Sequence, residues 1–256
     1  MKTLFIKKKK VLAIIVLLIA VISSSILGVA VSSVNARAER VLPIYRVETS
    51  EKKIAISFDC AWGTDYTDEL LSIMEEKGVV CTFFMVEFWT KKFPDYVKKI
   101  DEKGHEIGTH SATHPYMSKL SKENIIKELT TSKKAIEDIT GKEVKTFRPP
   151  YGDYNDNLIT TAKEVGLYTI QWDVDSLDWK NLSATEITNR VLKRVKNGSI
   201  VLFHNNGLHT SESLPKIIDT LKGEGYVFTT IYDLIYKDNY KMLPDGTQVE
   251  INKEKL

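Results

Sequence analysis

From residue 52 onward, short apolar runs alternate with amphipathic stretches, and this alternation constrains the fold of the 256-residue chain more than any other feature. Residues 54–58, 80–86 and 199–203 are typical of buried strands, whereas residues 121–139 carry apolar side chains near helical spacing. Strands that alternate with helices form a parallel sheet covered by helices, and six or seven such units favour a barrel over an open sheet. The sequence therefore predicts an α/β fold, a (β/α) barrel.

The overall composition indicates a folded protein that does not bind nucleic acid. Hydrophobic residues make up 43% of the chain and the formal net charge is only +2. Basic residues clustered into a patch or stripe, the usual footprint of nucleic-acid binding, are absent from the globular part. The two cysteines, Cys60 and Cys81, are too few for a disulfide framework, and the sequence leaves open whether they form a bridge or stay as buried thiols.

The first 34 residues indicate a membrane-targeting segment. Five lysines lie within the first ten residues, and residues 11–34 then contain no charge. A run of this length is sufficient to span the hydrocarbon layer as a helix, and the basic flank places the N-terminus in the cytoplasm. The alternative is a cleaved signal peptide, with small residues at Ala36 and Ala38 as the cleavage site. Either alternative places the rest of the chain outside the cytoplasm, tethered to the membrane or secreted.

The predicted organisation thus has four parts. A signal anchor or signal peptide occupies residues 1–34, a linker residues 35–50, the globular domain residues 51–237 and a polar, peripheral tail residues 238–256.

Polar residues follow several predicted strands at the point where each strand ends. Asp59, His110, Arg148 and His204 lie there, together with the segment 173–179. Active sites of parallel α/β sheets and barrels gather at this edge. His110 and His114 are four residues apart and can share one metal ion, although such a pair also occurs by chance or in a structural role. The ordinary alternatives are a helix cap for Asp59 and a buried core histidine for His204.

Taken together, five segments resemble the motifs of the polysaccharide deacetylases, carbohydrate esterase family 4, also called the NodB-homology domain. In family order they are SFDCAWG from Ser57, HSATH from His110, RPPYG from Arg148, DSLDW from Asp175 and LFH from Leu202. The resemblance covers about residues 52–234. It implies a distorted (β/α) barrel of about seven strands and metal-dependent hydrolysis of N-acetyl groups on amino-sugar polymers.

The resemblance also implies a role for each matching residue. Asp59 would be the general base, His110 and His114 ligands of a divalent metal, and His204 the general acid. Arg148 would hold Asp59 ionised, and Asp178 would orient His204. The backbone N–H of Tyr151 would stabilise the oxyanion, while Trp179, Leu202 and the Tyr151 ring would form a pocket for the acetyl methyl group.

Cys60 departs from the family pattern, which has a metal-binding aspartate at this position. A thiolate binds Zn²⁺ well and would favour zinc over harder metals, whereas a cysteine is also a small apolar residue that is readily buried. Both alternatives stay open at this stage. The D-x-x-W-G form of the motif is similar to a sporulation-associated subgroup that acts on spore peptidoglycan.

The leading hypothesis is therefore a peptidoglycan N-deacetylase. A membrane-tethered glycan-binding protein, weakened as a catalyst because Cys60 replaces the aspartate, is the alternative from another class. Hydrolysis of an amide in a small molecule is a third and less favoured hypothesis.

Overall fold

The computed structural model describes residues 41–251, and these contain eleven strands, eight α-helices and three short 3₁₀ turns. The strands are β1 (Arg46–Val47), β2 (Lys53–Cys60), β3 (Thr82–Met85), β4 (Glu106–Thr109), β5 (Thr146–Phe147), β6 (Tyr168–Thr169), β7 (Val174–Asp175), β8 (Ile200–His204), β9 (Val227–Phe228), β10 (Tyr240–Met242) and β11 (Thr247–Glu250). The helices are α1 (Thr67–Lys77), α2 (Glu87–Lys92), α3 (Pro94–Glu102), α4 (Lys122–Thr140), α5 (Asp156–Glu164), α6 (Ala184–Arg194), α7 (Thr210–Gly223) and α8 (Ile231–Leu234).

The main sheet is parallel and has the strand order β6-β5-β4-β3-β2-β8-β7, with β9 paired to the start of β2. Its two edge strands, β6 and β7, are consecutive in the chain and separated by only four residues. The sheet therefore curls round until its edges lie near each other, and this fits the distorted (β/α) barrel that the sequence predicts. Among the described residues, no ladder joins β6 to β7, so the barrel stays open along this seam.

The alternation of side chains along β2 separates two apolar clusters. Ile54, Ile56, Phe58 and Cys60 lie in the larger cluster, which includes buried residues of helices α1 to α7. Ala55 belongs to the smaller cluster, together with Phe84 and Ile200. Successive side chains of a strand point to opposite faces of the sheet. Asp59 therefore points to the side of Ala55, and Cys60 to the side of the helices.

Residues 41–47 fill part of the seam. Ile44 forms a bridge with Ile170, and its carbonyl oxygen accepts a hydrogen bond from the N–H of Gln171 at 2.7 Å. Strand β1 then pairs with β11, and β11 with β10, in a second, three-stranded sheet. The segments predicted as linker and as peripheral tail thus contribute strands, in which Val47 and Gln248 are buried. Strands this short carry too little periodicity to be recognised in a sequence.

Two helices differ from the sequence expectation. Helix α2 was not predicted, because its six residues are too few to show a helical period. Helix α7 begins at Thr210 and continues through Pro215, whereas a proline usually breaks a helix. Its buried residues Leu214, Ile217 and Ile218 keep it packed, although proline lacks the N–H that a helix interior uses.

The structure does not test the membrane-targeting segment, but it does show the state of the two cysteines. The membrane-targeting segment, residues 1–34, lies outside the described residues. Within residues 41–251, no helix combines the length and apolarity that crossing a membrane requires. Cys60 and Cys81 are both buried free thiols, so of the two alternatives for the cysteines the structure has the unbridged one.

A buried histidine makes the stability of the domain dependent on pH. The N–H of Cys81 donates to Nδ1 of His105 at 3.3 Å, so this nitrogen carries no proton. Burial, assisted by the charge of Lys103, lowers the pKa of His105 from 6.5 to about 4. Between these two pH values the unfolded chain binds a proton that the folded chain does not. The free energy of unfolding must therefore fall as the pH decreases through this window.

We expect the contribution of His105 to this loss to reach about 3 kcal/mol. His105→Gln keeps an acceptor for the N–H of Cys81 but does not titrate, so urea unfolding of this variant should be less dependent on pH between 6.5 and 4. The partly exposed His209, replaced by Gln, is the control and should unfold like the wild type. Equal pH slopes for His105→Gln and the wild type would contradict the assignment.

Candidate active site

The pairing of β2 with β8 brings two predicted site residues together. Asp59 and His204 are direct partners in the register of this strand pair, at the carboxyl ends of both strands. Because they occupy paired positions, their side chains project from the same face of the sheet. The local sequence places them there, since each follows a run of buried strand residues.

Arg148 holds Asp59 by a buried ion pair. Its Nη1 donates to Oδ1 of Asp59 at 2.8 Å, and its Nη2 donates to the carbonyl oxygen of Gln171 at 3.2 Å. The guanidinium lies 4.2 Å from the ring centroid of Phe84 and 5.6 Å from that of Trp172. Burial alone would raise the pKa of the Asp59 carboxyl, but the charge and hydrogen bond of Arg148, with a further contribution from His204, outweigh it and lower this pKa. The carboxylate is therefore ionised at neutral pH.

Asp178 shifts the pKa of His204 in the opposite direction. The Nδ1 of His204 lies 2.8 Å from Oδ1 of Asp178, and the backbone N–H of His204 donates to Oδ2 at 2.8 Å. Thr210 Oγ1 also donates to this oxygen at 2.7 Å, which fixes the carboxylate. Burial would lower the pKa of His204, but the hydrogen bond and charge of Asp178 outweigh it, and the pKa is raised. The ring thus holds its proton more tightly than a free imidazole and leaves Nε2 for a substrate.

His110 and His114 lie side by side with ring centroids 4.9 Å apart. Nδ1 of His110 is 2.7 Å from the carbonyl oxygen of Arg148, which only accepts, so this nitrogen carries the hydrogen. Burial lowers the pKa of His110, and the neutral ring then presents the lone pair of Nε2, which lies 3.6 Å from Oδ2 of Asp59. Nδ1 of His114 is buried and has no hydrogen-bond partner among the described residues. Two acceptors that face each other, beside an unpaired ring nitrogen, fit a bound cation.

Cys60 does not join these histidines. Its side chain lies in the apolar cluster on the helix side of the sheet, and burial, with the charge of Asp59, raises the pKa of its thiol well above the ordinary value. Residues 41–251 contain no group of three or more His, Cys, Asp or Glu arranged to hold a metal ion. The placement favours the alternative in which Cys60 is a small buried residue. The two histidines fit a divalent metal, and the third protein ligand is missing from the described part of the chain.

The remaining predicted residues surround this group. Tyr151 lies in a 3₁₀ turn with a positive φ of 59°, and its ring is 4.6 Å from that of His114. Nε2 of Gln171 donates to the carbonyl oxygen of Gly152 at 3.1 Å and so supports this turn. Leu202 is buried on β8, two positions before His204 on the same face, while Trp179 is exposed. Of the residues predicted to enclose the methyl group, Leu202 is therefore buried, whereas Trp179 and Tyr151 are exposed.

Glu128 supports the histidine loop, and sequence reasoning did not identify it. From helix α4 its Oε2 accepts hydrogen bonds from the N–H groups of Ala112 and Thr113 at 2.9 and 2.8 Å, and its Oε1 accepts one from Thr113 Oγ1 at 2.7 Å. Gln171 and Thr210 likewise support the site from outside the motifs. The sequence offers no signal for Glu128, because a polar residue on an amphipathic helix is usually solvated.

Comparison with known proteins agrees with this geometry. The family model described as polysaccharide deacetylase matches residues 46–170. A peptidoglycan-N-acetylglucosamine deacetylase of Bacillus cereus is 38% identical over 196 residues, which cover 75% of this chain and 92% of that protein. The chain belongs to the polysaccharide deacetylase family.

Two further relatives add detail. The protein YlxY of Bacillus subtilis is 34% identical over 203 residues, which cover 79% of this chain but 63% of YlxY. The crystal structure of a CE4 family pseudoenzyme from Bacillus anthracis superposes with a TM-score of 0.73 at 34% identity, covering 75% of this chain and 68% of that one. A mutant of that pseudoenzyme, described as having restored enzymatic activity, superposes equally well.

We expect Glu128→Ala to weaken zinc binding about 10- to 100-fold, because loss of a residue that orients a metal ligand has an effect of this size. The replacement frees the N–H groups of Ala112 and Thr113 and loosens the loop that carries His114. Lys127→Ala, an exposed change on the same helix, is the control. Calorimetric titration of both variants with Zn²⁺ measures the difference, and equal affinities would exclude a supporting role for Glu128.

Proposed function

We propose that the described domain hydrolyses N-acetyl groups on the amino sugars of a cell-envelope polysaccharide, and that peptidoglycan is this polysaccharide. One observation carries the proposal. Asp59, whose pKa is lowered, and His204, whose pKa is raised, occupy paired positions on β2 and β8. A base and an acid with pKa values displaced in opposite directions are what hydrolysis of an amide requires. The name of the Bacillus cereus relative supports the choice of polymer.

The proposed reaction uses these two residues in turn. Asp59 accepts a proton from a water molecule whose oxygen attacks the carbonyl carbon of the acetyl group. The bond between this carbon and the amide nitrogen then breaks, and His204 donates the proton of Nε2 to the departing nitrogen. The products are acetate and a free amino sugar. Asp178 stabilises the protonated ring of His204 before this transfer, and Arg148 keeps Asp59 ionised until the water approaches.

His110 and His114 would hold a divalent metal, which we propose to be zinc. Such an ion polarises a carbonyl group and lowers the pKa of water. The N–H of Tyr151 is the proposed second partner of the developing oxyanion, and Trp179, Leu202 and the Tyr151 ring are proposed to enclose the acetyl methyl group.

We expect Asp59→Asn and His204→Ala each to lower acetate release from peptidoglycan or N-acetylglucosamine oligomers about 10²- to 10⁴-fold, the usual contribution of a positioned base or acid. Asp219→Asn removes an exposed carboxylate that pairs with Lys77 and is the control. Zinc-loaded wild-type protein that releases no more acetate than Asp59→Asn would contradict the proposal.

A glycan-binding protein without turnover is the second candidate, and the position of Cys60 is the observation that favours it. With only two protein ligands, the histidine pair would hold a metal weakly. A relative described as a pseudoenzyme shows that the fold occurs without activity. The two candidates differ in one respect: a binder would retain glycan affinity in the presence of a chelator and release no acetate.

Replacement of Cys60 distinguishes the possible roles of this residue. Because its thiol is protonated and packed among apolar side chains, Cys60→Ser should leave zinc content and acetate release unchanged. Cys60→Asp, which restores the carboxylate of the family pattern, should raise the zinc content if the new side chain turns toward His110 and His114. Loss of zinc from Cys60→Ser, measured by atomic absorption, would instead identify the thiol as a ligand.

We also propose an extracytoplasmic location, with the basic and apolar residues 1–34 as a membrane anchor. A role in sporulation accords with the form of the first motif. Cell fractionation tests the location: the protein should appear in the membrane fraction if the anchor is retained, or in the medium if the chain is cleaved near Ala38. Recovery from the cytoplasm alone would exclude both.

A further inference from the structure

Five aromatic rings form a continuous row beside the candidate active site. In order they are Phe88, Trp62, His114, Tyr151 and Tyr116, and consecutive ring centroids lie 5.3, 6.0, 4.6 and 4.4 Å apart. We call this row the aromatic strip. Its middle member, His114, is one of the two histidines that fit a metal, so the strip extends from the reacting centre in both directions. Phe88, Trp62 and Tyr116 have no part in the reaction described above.

The strip is exposed to an extent that folding alone does not explain. Trp62 is 59% exposed, Tyr116 50% and Phe88 37%. Five aromatic residues of the described chain are 37% exposed or more, and four of them are in the strip. The fifth, Trp179, directly follows Asp178 at the same site. Concentrated exposure of large apolar groups marks a binding surface, whereas scattered exposure does not.

The loop that carries Trp62 is fixed in place. The carbonyl oxygen of Gly63 accepts hydrogen bonds from Trp89 Nε1 at 2.8 Å and from Asn205 Nδ2 at 3.0 Å. Asn205 directly follows His204, so the same turn positions the proposed acid and the tryptophan loop. A surface held rigid before binding loses less entropy when a ligand arrives.

The loop that carries Tyr116 is fixed to the loop that carries Tyr151. The N–H and Oγ of Ser118 both donate to the carboxylate of Asp153 at 2.8 Å, and Nδ2 of Asn155 donates to the carbonyl oxygen of Ser118 at 2.8 Å. These bonds keep the rings of Tyr116 and Tyr151 stacked, with an angle of 20° between their planes.

We propose that the aromatic strip binds successive sugar rings of an amino-sugar polymer. Trp62 and Phe88 would lie on one side of the sugar that loses its acetyl group, and Tyr116 on the other. A pyranose ring has apolar faces of C–H groups and polar edges of hydroxyl groups. Flat aromatic rings, with an apolar body and in Trp and Tyr a polar group, complement such faces. The strip is continuous with the catalytic residues through His114 and Tyr151, so a polymer bound along it passes the reacting centre.

The inference rests on the proposed function for the polymer class but makes a separate claim: the protein recognises an oligosaccharide through contacts away from the scissile bond. The expected consequence is a preference for longer chains. Loss of one aromatic contact should weaken binding of a long chain about threefold to tenfold. A short chain that does not reach the altered position should be affected less.

The test compares the pentamer and the dimer of N-acetylglucosamine by calorimetric titration, with chelator-treated and with zinc-loaded protein. We expect Trp62→Ala and Tyr116→Ala to bind the pentamer about threefold to tenfold more weakly and to lose most of its advantage over the dimer. Trp62→Tyr should retain most of that advantage, because it keeps a flat ring. Val227→Ala is the control, since Val227 is 57% exposed but pairs with the start of β2, at the opposite end of the sheet.

Equal pentamer affinity in Trp62→Ala, Tyr116→Ala and the wild type would overturn the inference, as would an equal loss in Val227→Ala. Weaker pentamer binding in the two strip variants, with no acetate release by the wild type, would support the strip and refute the deacetylase proposal. Acetate release by the wild type, with unchanged pentamer binding in the variants, would support the deacetylase proposal and refute the strip.

Discussion

The buried ion pair between Arg148 and Asp59 is the interaction on which the site depends. Arg148 is fully buried and Asp59 nearly so, and each charge is tolerated only because the other neutralises it. Loss of one partner from such a pair typically costs 3–5 kcal/mol, whereas apolar residues in place of both are often neutral or stabilising. The pair is therefore poorly explained by stability. It is well explained by the proposed function, which needs a buried carboxylate that stays ionised beside His204.

The sequence was sufficient to bring the candidate site residues together, because they lie where strands end. The rhythm of strands and helices predicted a curled parallel sheet, and the motifs placed Asp59, His204 and Arg148 at one edge of it. The contacts of Arg148 with Asp59 and of Asp178 with His204 are those that the family resemblance implies. Their catalytic roles stay predictions, as does the metal. Family membership is confirmed by the relatives.

The supports of the site were not predictable, because they come from residues whose local sequence is ordinary. Glu128 resembles any solvated residue of an amphipathic helix until the fold brings it to the loop of Ala112 and Thr113. Cys60 is different, since a signal was present. Apolar residues at positions 54, 56 and 58 define the helix-facing side of the strand, and position 60 continues that period. The sequence interpretation ended the strand at Phe58 and so lost the parity that separates Cys60 from Asp59.

Residues 41–47, which fill part of the seam of the barrel, are connected to the candidate site by hydrogen bonds. The N–H of Gln171 donates a hydrogen bond to the carbonyl oxygen of Ile44. The carbonyl oxygen of Gln171 accepts one from Nη2 of Arg148, and Nη1 of Arg148 donates to Asp59. Three hydrogen bonds thus lead from Ile44 to the carboxylate of Asp59, the proposed base. Residues 41–47 therefore belong to the folded domain and support the candidate site, and a shortened domain that begins at residue 51 would leave the N–H of Gln171 without its partner.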